Sequence, residues 1–218
     1  MTHDIKGIFE IHITVKCESD EQINLFTEIC KMNNVKPIII MLTNGENIRQ
    51  VMTSKFFTGK FTRDLTNTDH SNIFLKATDL MHTMFDNTIL KNKIERLKIE
   101  ALSCSDGVPS ETHTNDDQYF EFHHKIQIKN NDEYLFVKKL VKNHDSRLSS
   151  NAFKYDVNGN ISHYFVTRRV HKYGRNRALE LNDELKNELT IAGYIPLKSE
   201  SEYVVYDSNF SLDNGWTI

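Results

Sequence analysis

The chain has 218 residues, of which 26% are charged and 39% hydrophobic, and a formal net charge of -3. That length suits one large domain or two of about 100 residues, and the composition excludes collagen-like, mucin-like and wholly disordered chains. A charge so near zero argues against bulk nucleic-acid binding, and the apolar run Ile38 to Leu42 falls far short of the roughly 20 residues a membrane span needs.

Met1 to Lys6 lacks the apolar stretch of a secretory signal. Cys17, Cys30 and Cys104 show no CxxC spacing and read as reduced thiols. Together these features point to a cytoplasmic protein.

The first element, Ile8 to Val15, alternates with period two and predicts a half-buried strand. Asp20-Glu21 then opens a helical pattern, with Asp as a suitable N-cap. Ile23, Phe26, Ile29 and Cys30 share one face of that helix. Two strands follow, at about 36–42 and 51–61, joined by a turn containing Asn44-Gly45. A helix over about 71–86 turns Phe74, Ala77, Met81, Met84 and Phe85 inward, and a strand over 96–102 closes the half. Ser103 to Gln118 is polar, contains Gly107 and Pro109, and reads as a linker.

The pattern then repeats. Tyr119 to Ile126 matches the first strand as Phe-Glu-x-His, and Asp132-Glu133 opens a helix that buries Phe136, Val137, Leu140 and Val141. Strands at about 148–156 and 161–171 flank Asn158-Gly159-Asn160, and Phe165-Val166-Thr167 parallels Phe56-Phe57-Thr58. A helix over about 175–192, with Ala178, Leu181, Leu185 and Leu189 inward, precedes a strand over 198–206. The order β-α-β-β-α-β, twice, predicts an α+β fold: a tandem duplication of a ferredoxin-like βαββαβ unit, its antiparallel sheets carrying helices on one face. The domains are then 1–103 and 119–218, with a linker over 104–118 and a C-terminal tail whose Leu212 and Trp216 dock back on the body.

Strand alternation assigns faces. Phe9, Ile11, Ile13 and Val15 point to the helices, as do Phe120, Phe122, His124, Ile126 and Ile128 in the second half. Glu10, His12 and Thr14 lie on the other face, and so do Glu121, His123 and Lys125. Lys98, Glu100, Glu200 and Glu202 extend these polar faces. His124 reads as a hydrogen-bonded core or rim histidine. The triplets are either ordinary solvated faces or the walls of a polar cleft between two facing sheets, where acids and bases shift one another's pKa values.

Two chemistries fit such a cleft. In one, His12 and His123 form an acid–base pair oriented by Glu10 and Glu121, while Thr14, Lys125, Arg169 and Arg175 bind the oxygens of a phosphorylated molecule or nucleotide. The basic run Arg168 to Arg177 at a predicted helix start supports an anion site there. In the other, Glu10, His12, Glu121 and His123 are candidate ligands for a divalent metal in a lyase or oxygenase. A third reading is a non-catalytic binding or assembly module, with homo-oligomers as one outcome.

His12-Ile13-Thr14 resembles the His-x-Thr element of the 2H phosphoesterases, duplicated α/β proteins. The resemblance implies paired histidines as acid and base, with Thr14 binding phosphate. Glu121-Phe122-His123-His124-Lys125 resembles the Glu-x-Glu-x-Lys strand of CYTH triphosphate-tunnel enzymes, with His at the central Glu.

Overall fold

The described residues form eight strands and four amphipathic helices, two in each half. In the computed structural model, residues 4–62, 69–111, 117–151 and 163–216 are described. The elements run β1 (Ile5–Val15), α1 (Asp20–Met32), β2 (Lys36–Leu42), β3 (Arg49–Phe61), α2 (Ile73–Phe85) and β4 (Ile94–Leu102). They continue with β5 (Tyr119–Gln127), α3 (Asn131–Lys142), β6 (Ser146–Asn151), β7 (His163–His171), α4 (Arg175–Ile191) and β8 (Lys198–Asp207). The protein is thus a mixed α and β fold, with four α-helices among the described residues and an eight-stranded antiparallel sheet. None of the helices is long and apolar enough to cross a membrane.

The strand order is β1-β3-β2-β6-β7-β5-β8-β4, and β4 pairs with β1 again. Where two sheets were expected, the described strands form one eight-stranded antiparallel sheet. The reason lies at β2, the edge strand of a lone βαββαβ unit. Its Ile40, Met41 and Leu42 pair with Asn151, Ser150 and Ser149 of β6, which satisfies backbone groups that an edge leaves unpaired.

The chain divides into two compact units that do not follow a single cut. One comprises 1–38, 50–108 and 203–212, and the other 39–49, 109–202 and 213–218. In the first, Phe9, Ile11 and Ile13 of β1 are fully buried, as are Phe26 of α1 and Phe85 of α2, whose rings stack 6.2 Å apart. In the second, Ile126, Val137, Val141, Leu148, Val166, Leu185 and Leu189 form one cluster that joins α3 and α4 to the sheet. Each such side chain contributes about 1.5–3 kcal/mol on leaving water.

Several local expectations change. The helix N-caps are Ser19 and Asn130, not the acids that follow them. Ser19 Oγ accepts from Gln22 N–H and Asn130 Oδ1 from Glu133 N–H. Gln22 and Glu133 reach back to the Glu18 and Lys129 amides, at 2.9 Å each. Asp20, Glu21, Asp132 and Glu133 instead occupy the first turns, where the helix dipole favours them. Phe136 is exposed rather than inward and stacks on Tyr194, because Val137, Leu140 and Val141 already fill the helix's buried face. In α4, Asn182 joins the buried face and Leu181 is only half-buried. Asn44-Gly45 sits in a wider connection over 43–48, closed by Leu42 N–H donating to Ile48 O. The Asn158-Gly159-Asn160 turn and the predicted strand ends nearby lie outside the described residues.

The described part of the linker is docked. Lys6 N–H donates to Asp106 O, and Gly107, at φ +83, lies against the Asp4 backbone. Further on, Arg175 and Asn176 donate their amides to Pro109 O and Ser110 O. Gly174 packs so closely on Glu111 that a Cβ there would sit 2.1 Å from its carbonyl oxygen.

Candidate functional site

In the first unit, β1 pairs with β4 so that His12 faces Lys98 and Glu10 faces Glu100. Like charges opposite each other destabilise a sheet, so the two carboxylates need compensation. Lys98 Nζ lies 2.7 Å from Glu100 Oε1, an ion pair held by charge without hydrogen-bond alignment. His12 Nε2 lies 2.8 Å from Glu100 Oε2 and 3.8 Å from Glu10 Oε1. Ser54 donates its hydroxyl to Glu10. Within this cluster, two carboxylates and one ammonium leave a charge of about −1, which an imidazolium cancels.

The His12 ring supports that state. Its Nδ1 faces the Thr53 carbonyl oxygen at 2.7 Å, while its Nε2 faces Glu100. A carbonyl and an ionised carboxylate only accept, so this geometry favours a ring that donates from both nitrogens. Burial pulls the His12 pKa down, but the Glu100 hydrogen bond and the charges of Glu10 and Glu100 raise it above the ordinary value of 6.5. The face is not solvated: Glu100 is 2% exposed, Thr14 2% and Lys98 6%.

In the second unit, β5 pairs with β7 so that Glu121 faces Arg169 and His123 faces Thr167. Glu121 Oε2 accepts from Arg169 Nε at 2.5 Å, and its Oε1 lies 3.1 Å from His123 Nε2. Glu202 Oε2 is 3.8 Å from the same nitrogen. His123 Nδ1 meets Thr167 Oγ1 at 2.9 Å. A hydroxyl both donates and accepts, so His123 keeps this partner whether or not it carries the second proton.

Arg169 is committed elsewhere than a ligand. A second nitrogen donates to Asp213 Oδ2 at 2.8 Å, and the guanidinium stacks 5.1 Å over Tyr119 and 5.7 Å over Trp216. Burial opposes its charge, but Glu121, Tyr119 and Asp213 together hold it firmly protonated. Trp216 is buried and donates its indole N–H to Leu148 O. The tail reaches Gly45 too, where Glu46 N–H donates to Asn214 O.

The remaining predicted residues are placed as follows. Lys125 is half-buried, and its ammonium has no ion-pair partner among the described residues. Arg175 begins α4, half-buried, with its side chain likewise unpaired among the described residues. The first two α4 amides are spent on Pro109 and Ser110, which leaves the expected helix-terminus anion site without those donors. Arg168 is buried, donates to Leu181 O, and has its pKa lowered by burial; Arg177 pairs with Glu180. Glu200 pairs with Lys198 outside the polar cluster. His124 is fully buried between Asn182 Oδ1 (2.7 Å) and Ser199 Oγ (2.8 Å), and burial lowers its pKa.

Thr53 and Thr167, the partners of the two histidines, were not among the predicted site residues. The matched Phe-Phe-Thr and Phe-Val-Thr strings mislead here: Thr58 pairs with Ile8, whereas Thr167 pairs with His123. The four candidate metal ligands are engaged in these ion pairs. Among the described residues no group of three or more His, Cys, Asp and Glu side chains is arranged to hold a metal ion.

No protein-family model matches the chain, and no curated protein matches its sequence. Solved structures align along most of its length at low similarity. A "putative monooxygenase" of Fusobacterium nucleatum subsp. nucleatum ATCC 25586 covers 98% of this chain and 96% of its own, at 10% identity and TM-score 0.32. An unknown protein of Galdieria sulphuraria covers 93% and 100%, at 7% identity and TM-score 0.28. A "putative monooxygenase" of Lactobacillus acidophilus NCFM covers 92% and 93%, at 12% identity and TM-score 0.25. Similarity this low carries no argument about fold or chemistry.

Proposed function

We propose that the chain is a duplicated ferredoxin-like protein of the cytoplasm that performs acid–base chemistry on a small phosphorylated molecule, as a phosphoester or nucleotide hydrolase. The observation that carries this reading is the setting of His12 between two acceptors beside a pair of carboxylates. Acceptors at 2.7 and 2.8 Å from its two nitrogens favour the protonated ring that a general acid requires. His123, set on the matching strand against the Thr167 hydroxyl, is the general base in this reading. Glu100 and Glu121 orient the two rings, with Glu10 as a further charge beside His12. Lys125 and Arg175 are the cations in reserve for an anionic substrate, with Thr14 on the His12 face. The likeness of His12-Ile13-Thr14 to the 2H phosphoesterases points the same way.

The test is a hydrolysis screen over phosphomonoesters, cyclic nucleotides, pyrophosphate and triphosphate. Wild-type protein should turn over at least one class. His12→Gln and His123→Gln should each lose about 10²–10⁴-fold while keeping cooperative thermal unfolding. No turnover of any class, or full activity in both variants, would overturn the proposal.

A further inference from the structure

A cavity of about 290 Å³ opens in the second unit where the end of α3 meets the start of β6. Val141 and Leu148 are its apolar lining residues. Lys138, Lys142 and Arg147 line it as well, beside Ser146, and no carboxylate lines it. Lys138 and Lys142 stand one helical turn apart, a spacing at which like charges repel. Neither ammonium has a carboxylate partner among the described residues, and Lys138 Nζ instead lies 5.7 Å over the Tyr134 ring. The Arg147 guanidinium donates to the Ser146 carbonyl oxygen at 2.9 Å, which leaves most of its N–H groups to spare.

Cations at a helix C-terminus have an ordinary cause, the negative end of the helix dipole. That end carries only about half a charge, against three full positive charges here. No carboxylate lines the hollow that these cations share with Val141 and Leu148.

We propose that this cavity binds a small organic anion, its apolar body on Val141 and Leu148 and its carboxylate or phosphate head between Lys138, Lys142 and Arg147. The site is distinct from the Glu–His clusters of β1 and β5 and does not depend on their function. The head group is left to the test, since carboxylate and phosphate share the chemistry that three cations recognise.

Fluorescence titration of the full chain with 2-naphthoate, 2-naphthylphosphonate and neutral 2-naphthamide tests it; none of the three is a substrate for phosphoester hydrolysis. At least one anion should bind saturably, about tenfold or more tighter than the amide, and more weakly as salt rises. Lys142→Gln and Arg147→Gln should each weaken it about tenfold, while His12→Gln leaves it unchanged. Lys142 is exposed, so its variant keeps the fold, and circular dichroism verifies this. Preference between the two anions assigns the head group. No saturable binding of either anion to millimolar concentration, equal binding of anion and amide, or unchanged affinity in the Lys142→Gln/Arg147→Gln double variant would overturn the site.

Discussion

His12 and His123 occupy equivalent strand positions, yet their environments differ by one acceptor. His12 meets a carbonyl oxygen, which can only accept, and His123 meets a hydroxyl, which can do either. The difference favours the doubly protonated ring at His12. Glu100→Gln removes the carboxylate that stabilises the His12 cation, so the His12 ring should titrate at lower pH than in wild type, as read from its carbon-bound proton by NMR. An unchanged titration would assign the proton to some other cause. The polar faces were legible at this scale, because period-two alternation places Glu10, His12 and Thr14 together. Glu100 was legible as a neighbour, but its closer approach to His12 than Glu10 was not, since register and rotamer decide between 2.8 and 3.8 Å. Arg169 shows the limit most plainly: its partner Asp213 lies 44 residues away in a tail with no strand pattern.

At the scale of elements, the helix starts repeat as closely as the strands do. Ser19 with Gln22 and Asn130 with Glu133 form the same reciprocal cap. The signature, a small polar residue followed three later by Gln or Glu, was present in the sequence. It was passed over because the acids next to each cap are reasonable caps themselves. Ser19→Ala and Asn130→Ala should each cost about 1 kcal/mol, measured by urea denaturation, whereas Asp20→Asn should cost only the few tenths of a kcal/mol typical of an exposed charge–dipole contact. Comparable losses at all three would make the acids the true caps. Element order followed from hydrophobic patterning and turn residues, with α1 and α2 each burying one face. The exposed Phe136 departs from that rule because the width of a helix's buried face depends on how closely its partner approaches.

At the scale of the whole molecule, two histidines tilt the stability curve in opposite directions. The His12 pKa is raised above 6.5, so its contribution is full below that value and is lost as pH rises through its folded pKa. The His124 pKa is lowered, so the unfolded chain takes up that proton first, and stability falls as pH drops below 6.5 toward its folded value. Chemical denaturation from pH 5 to 9 should therefore show His12→Asn losing the decline on the alkaline side and His124→Asn losing the decline on the acid side. Slopes identical to wild type in both variants would remove these two groups from the account. The β2–β6 pairing was not legible, because nothing in either sequence names its partner. Ile40 to Leu42 is as apolar as any edge strand that must be hidden, and pairing with β6 is one of several ways to hide it.

The division of the chain into units has a consequence for its synthesis. Domains emerging from the ribosome commonly fold N-terminal first. Here the first unit claims 203–212, a stretch that includes Asp207, the bidentate partner of the buried Arg96. Until that stretch leaves the exit tunnel, the guanidinium has no such carboxylate to meet, and burying it unpaired carries a heavy penalty. The nascent N-terminal half must therefore wait, exposed to chaperones and proteases, until residues 203–212 have been made.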